Sequence, residues 1–249
     1  MKTYIFLILT LLFQSLWAQF DDQISGKQAI DAAYDISNAA VRITKDYVYS
    51  NMHVSYATKN IDNSFSNSED ALLLLQMYAE NHPALQPNLK QIINIRKKTR
   101  MMFLQKPQKE KIKTALQKLE KLQIVNNSLI NKIKKIENIK IKQAVESAHK
   151  LEFLAQQLAF MHALIYMGQN PEKMEEKIKD LEKKFETNLK TLADGAHTNK
   201  EAGFQLKLLQ SDWEMYKKIA AKKNQRFINT IYTLLDKISD KASRIASSL

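Results

Sequence analysis

The sequence predicts an all-α fold, arranged as two antiparallel four-helix bundles in tandem that share one long helix. Three observations predict it. Glycine and proline are scarce, four of each in 249 residues, and nearly all fall between segments of helical periodicity. Apolar residues recur at steps of three and four along almost the whole chain. Alternating Val, Ile and Thr runs between turn dipeptides, the mark of strands, are absent.

The N-terminus is expected to be removed. Met1-Lys2-Thr3 is a short basic start, Tyr4 to Phe13 is an apolar run, and Gln14-Ser15-Leu16-Trp17-Ala18 ends on a small residue. That order describes a secretory signal peptide over residues 1–18, cleaved after Ala18. A membrane-spanning helix needs about 20 apolar residues, so Gln14 comes too early for one. The expected destination is the periplasm or the cell exterior, with no membrane span left after cleavage. The chain has no cysteine, so neither a disulfide nor a lipidated Cys can form.

Helical stripes follow in order. Ile30, Ala33, Tyr34, Val41 and Tyr47 mark the first helix, and Ile61, Phe65, Leu72, Leu75 and Tyr78 the second. Pro83 and Pro87 bracket a break before the third, marked by Leu89, Ile92, Ile93 and Met102 and closed by Pro107. From Gln108 to Met167 no glycine or proline occurs across 60 residues. At about 1.5 Å per residue one helix of that length would run about 90 Å, too far for one compact bundle, so it would be a coiled-coil arm or serve two bundles, one at each end. Asn170-Pro171 then places an N-cap and a first-turn proline before the stripe Met174, Ile178, Leu181, Phe185, Leu189 and Leu192. Gly195 marks the next break, followed by Phe204, Leu208, Trp213 and Ile219, and finally Phe227, Ile231, Leu234, Leu235, Ile238 and Ile245. Counted with the long helix as two halves, these make two sets of four, 22–141 and 142–249.

Charge narrows the partners. Residues 1–18 carry one basic residue, Lys2, of 38 Lys and Arg against 26 acidic residues, so the mature chain would stay basic at +11. Acidic partners are one reading of that excess; a lysine-rich solvated helix surface is the expectation. Nucleic acid is not expected, because no basic patch is interleaved with aromatics.

Candidate chemistry is thin. Arg42 and Lys45 lie three apart on the first helix and could form a small anion site; pairing of Arg42 with a carboxylate such as Asp46, four residues on, is the expected alternative. His53, His82, His149, His162 and His197 have no partner at metal-ligand spacing, so no metal site is expected. His162, among Phe160, Met161 and Leu164, reads as a core or interface histidine. No nucleophile elbow, phosphate-cradling loop or His-Glu-x-x-His run occurs, so no catalytic residue is assigned and an enzyme is not expected. Met101-Met102-Phe103 and the stretch Phe153 to Met167 could line an adaptable cavity for a haem or lipid, but core packing is preferred and no cofactor is assigned.

The pattern resembles the sensor domain named for the type IV pili chemotaxis transducer PilJ and the nitrate sensor NarX, as two copies in an exported chain. Arg42-Ile43-Thr44-Lys45-Asp46-Tyr47 matches the tail of that family's first-helix motif, and Ile30-Asp31 its opening. The second copy would start at Val145-Glu146 and continue through Lys150, Leu154, Gln156 and Leu158-Ala159, with Trp213 where a third helix often carries tryptophan. Where the family has Gly-Lys/Arg-Gln-Arg, this chain has Tyr34-Asp35-Ile36-Ser37 and His149-Lys150-Leu151-Glu152. Ser25-Gly26-Lys27-Gln28 spells the motif core, eight residues early. The resemblance implies a sensor domain whose ligand motif has degenerated. The expected function is an exported sensor-like domain without its own signalling output, binding an unknown small ligand or a periplasmic or membrane partner protein. The alternative is a structural helical adaptor, with a homodimer possible.

Overall fold

The structure is a computed structural model that describes residues 24–249 apart from 51, 53, 104–108 and 198. The expected signal segment and the break at Pro107 lie outside the described residues. Every regular element described is helical: α1 (Gly26–Ser50), α2 (Ser55–Glu80), α3 (Gln86–Phe103), α4 (Lys109–Ile136), α5 (Gln143–Tyr166), α6 (Pro171–Ala196), α7 (Lys200–Ala220) and α8 (Ile228–Ser248). Short 3₁₀ turns, Pro83–Leu85 and Gln225–Phe227, precede α3 and α8. The protein is all-α.

Local chemistry sets the helix ends. Ser25 opens α1 with a capping box: its Oγ accepts from the Gln28 amide at 3.2 Å, and its own amide donates to Gln28 Oε1 at 2.8 Å. That accounts for Ser25-Gly26-Lys27-Gln28 in helix-start terms. Asn170 caps α6 through Oδ1, with Pro171 in the first turn, as its sequence predicts. Asn199 caps α7 by accepting from the Ala202 amide at 3.1 Å.

The single helix expected over 108–167 is two. Asn138 adopts a left-handed φ of 50°, and the Ile139 amide donates back to the Lys134 carbonyl at 3.0 Å, the backbone signature of a Schellman stop. Asparagine tolerates this conformation, so the chain turns without glycine or proline. Gly168 ends α5 in the same way, with a φ of 71° and the Gln169 amide donating to Leu164.

Packing departs from the chain order. Ile30, Ile36, Leu72, Leu75, Tyr78, Leu89, Ile92, Leu122, Leu129 and Ile133 form one core from α1, α2, α3 and α4. The larger core joins α5–α8 to the C-terminal half of α1 (Tyr47, Val48, Tyr49), to Val54 just before α2, to the N-terminal part of α2 (Ala57, Ile61) and to Ile112 of α4. The α1–α2 hairpin therefore spans both cores, the role expected of the 108–167 segment. At the centre of the larger core Trp213 is 1% exposed, stacked on Phe185 with ring centroids 3.9 Å apart.

Gly195 stands in the last turn of α6, which ends at Ala196, so the break follows it as expected. Gly195 is also where α6 crosses α5 closely: a Cβ there would sit 2.5 Å from the Ala144 Cβ. Gly195→Val is expected to cost about 2 kcal/mol or more, the range of an overpacked core site, in urea unfolding. Adding Ala144→Gly should recover part of the loss, and no recovery would place the cost elsewhere.

Candidate functional site

α1, α5 and α8 meet along a seam of buried charge, the least expected feature of an apolar helical interface. Lys45 is 0% exposed. Its Nζ lies 2.5 Å from Asp236 Oδ1 and 3.1 Å from Asp46 Oδ1, and 4.0 Å from the centroid of the Tyr232 ring. Tyr232 donates its hydroxyl to Asp46 at 2.6 Å and accepts from Asn60 of α2 at 3.0 Å. Gln156 of α5 donates to Asp236 at 3.0 Å. One lysine thus ties four helices together through two carboxylates and their neighbours.

One turn earlier on α1, Arg42 Nη2 donates to Asp240 Oδ1 at 3.0 Å and to Ser239 Oγ at 3.1 Å, and lies 3.9 Å from Glu152 Oε1. Asn38 donates to Glu152 Oε2 at 2.6 Å. Beside this group opens a cavity of about 360 Å³ whose charged lining is Asp35, Glu152 and Asp240 with Arg42 and Arg244.

The two residues singled out in sequence are therefore both paired. Arg42 pairs with a carboxylate, as preferred, but with Asp240 and Glu152 across the interface, while Asp46 goes to Lys45. Lys45 is sealed from solvent and cannot reach a ligand in this arrangement. An anion site needs an uncommitted cation, and here carboxylates occupy both.

Burial governs the acids. It pushes the Glu152 carboxyl up to about 8 against the pull of Arg42, with Asp35 and Asp240 adding to the rise. Asp46 rises to about 6 for the same reason, Lys45 opposing. Burial would also raise Asp236, but Lys45, with the Gln156 hydrogen bond and Arg42, outweighs it and holds that group below its ordinary value.

A second candidate lies at the other end of α5 and α8. Here α5, α6, α7 and α8 enclose a cavity of about 430 Å³ walled by Ile165, Ile178, Ile228 and Ile231. His162 faces it, with Nε2 2.9 Å from the Tyr216 hydroxyl, which donates to Glu182 Oε1 at 3.0 Å. With that hydroxyl proton committed to Glu182, Nε2 carries the proton that bridges to Tyr216. Burial lowers the His162 ring to about 4, so it is neutral near pH 7.

Sequence reasoning placed His162 in the core and did not find Tyr216 and Glu182, which lie 54 and 20 residues further along the chain. Of the other stretch considered for a cavity, Met101 is 61% exposed and Phe103 packs on Tyr47 with centroids 4.7 Å apart. Among the described residues no three His, Asp or Glu side chains gather where they could hold a metal ion. No described helix is long and apolar enough to cross a membrane. Comparison with known proteins finds no matching family, characterised protein or solved structure.

Two outcomes follow from the seam. The folded-state pKa of Glu152 lies above its unfolded value of 4.5, so the folded protein keeps a proton that the unfolded chain releases. That stabilisation is complete below about pH 4.5 and lost as pH rises through about 8; Asp46 acts in the same direction at lower pH. Thermal melts should show wild-type Tm falling between about pH 5 and about pH 9, with Glu152→Gln markedly flatter. An unchanged slope in the variant would remove Glu152 as the cause. Lys45→Ala leaves the buried Asp46 and the partly buried Asp236 without their cation and is expected to cost about 3–5 kcal/mol in denaturant unfolding near neutral pH. A loss under about 1 kcal/mol would mean the seam is solvated.

Proposed function

We propose that this chain is an exported, sensor-like binding module that takes a small molecule into the cavity between α5, α6, α7 and α8. The observation that carries the reading is that cavity. Its volume, about 430 Å³, falls in the range of about 300–1,000 Å³ typical of small-molecule sites. Apolar walls with a few convergent polar groups are the composition of such sites, and a histidine displaced from its ordinary pKa marks the same end of the bundle. The resemblance to a sensor domain points the same way; the paired state of Arg42 and Lys45 argues for a ligand site elsewhere in the fold.

The test uses N-phenyl-1-naphthylamine, a neutral apolar fluorophore. Saturable binding near one per chain is expected, abolished by Ala220→Trp, which fills the cavity from α7. A variant that melts like wild type and still binds the dye would overturn the reading.

A second reading, a self-associating helical adaptor, has one observation in its favour. Phe204, Leu208 and Met215 are 56%, 38% and 50% exposed and share a face of α7 at helical spacing. Native mass spectrometry separates the two. A dimer lost on Phe204→Glu favours the adaptor, and a monomer at micromolar concentration counts against it.

A further inference from the structure

The charges around the α5–α8 cavity are not evenly committed, and this fixes the class of ligand. The lining carries three lysines, Lys179, Lys217 and Lys223, and two carboxylates, Glu175 and Glu182. Glu175 is held by Lys223 at 2.6 Å, and Glu182 accepts the Tyr216 hydroxyl at 3.0 Å. Lys217 turns to Glu186 and Glu214, at 3.2 and 2.9 Å. Lys179 stands one turn from both lining carboxylates and influences their ionisation, yet forms no ion pair within 4 Å among the described residues. The lining has one more cation than anions, and Lys179 is the lysine of the three without an ion pair among the described residues, while Glu182 keeps its charge under the Tyr216 hydrogen bond. Below these groups the walls are Ile165, Ile178, Ile228 and Ile231, and the His162 ring is already hydrogen-bonded to Tyr216.

We infer that the cavity takes an amphipathic monocarboxylate, its aliphatic or aromatic body between the four helices and its carboxylate at Lys179. This deepens the small-molecule reading and rests on it. A cationic head at the mouth would meet Lys179 and find Glu175 already paired with Lys223. A fully polar ligand would leave the isoleucine walls without contact. An anion with an apolar body satisfies both parts at once, and gains from a lysine that gives up no existing partner. The lysine stem can lie along the apolar rim while its ammonium stays at the mouth, which suits a ligand whose charged end remains near water.

Isothermal titration with decanoate and decanol separates the head from the body. Wild-type protein is expected to bind decanoate about tenfold more tightly than decanol, the ratio shrinking to near one in Lys179→Gln and returning in Lys179→Arg. Decanol binding as tightly as decanoate would overturn the carboxylate assignment while leaving the cavity reading intact. A preference that survives Lys179→Gln would overturn the role given to Lys179. Binding of neither compound would overturn the inference, and failure of the neutral dye as well would take the small-molecule reading with it. Lys179 is exposed, so its substitution leaves the fold undisturbed, and unchanged thermal melts of both variants verify this.

Discussion

The buried ammonium of Lys45 is the constraint on which the arrangement of this molecule depends. A lysine sealed from water is tolerated only if its charge is matched nearby, and here the match comes from Asp46 on its own helix and Asp236 on α8. The bond to Asp236 fixes the distance and rotation of α1 against α8 in a way that apolar contacts alone would not. Tyr232 and Gln156 then donate to Asp46 Oδ1 and Asp236 Oδ1, and both are buried for the same reason. Such a network contributes modestly to net stability and strongly to uniqueness, because any sliding of α8 along α1 leaves charges unpaired in the core.

That constraint explains why the two cores are not the two halves of the chain. α1 carries apolar residues toward α2–α4 at its start and toward α5–α8 at its end, with the charged residues Arg42, Lys45 and Asp46 directed to α5 and α8. The hairpin α1–α2 can cross from one core to the other because its polar residues find partners there.

Much of the fold is legible in the sequence because helical periodicity is a local property. The stripes through Ile30 to Tyr47, Met174 to Leu192 and Ile231 to Ile245 all fall within single helices. The stop at Asn138 was missed because the reading relied on glycine and proline, although asparagine also adopts the left-handed turn that ends α4. Gly195 does mark the end of α6, but its lack of a side chain also serves a helix crossing, a property of two segments at once. The site was less legible still. Arg42 has a carboxylate at the favourable helical spacing, Asp46, but the tertiary fold brings Asp240 and Glu152 to it and leaves Asp46 to the adjacent lysine. Partners 110 and 198 residues away, such as Glu152 and Asp240, carry no local signal at all. The cavity is harder again, being the space four separate helices fail to fill.

The seam and the cavity are built on the same two helices. α8 presents Ile228 and Ile231 to the cavity and, over the next turns, Tyr232, Asp236, Ser239 and Asp240 to α1. α5 presents Glu152 and Gln156 to the seam and, further along, His162 and Ile165 to the cavity. An unfilled apolar space between four helices gains free energy by collapsing, since its walls recover dispersion contacts and lose water. Collapse at this end would require α5 or α8 to tilt, and tilt is opposed where each is held at its other end by buried, charge-assisted hydrogen bonds. The anchoring charges therefore account for a preformed cavity at this end of α5 and α8. They also set how such a site would work: a ligand enters without first ordering its walls, and little of its interaction energy is spent on reorganisation.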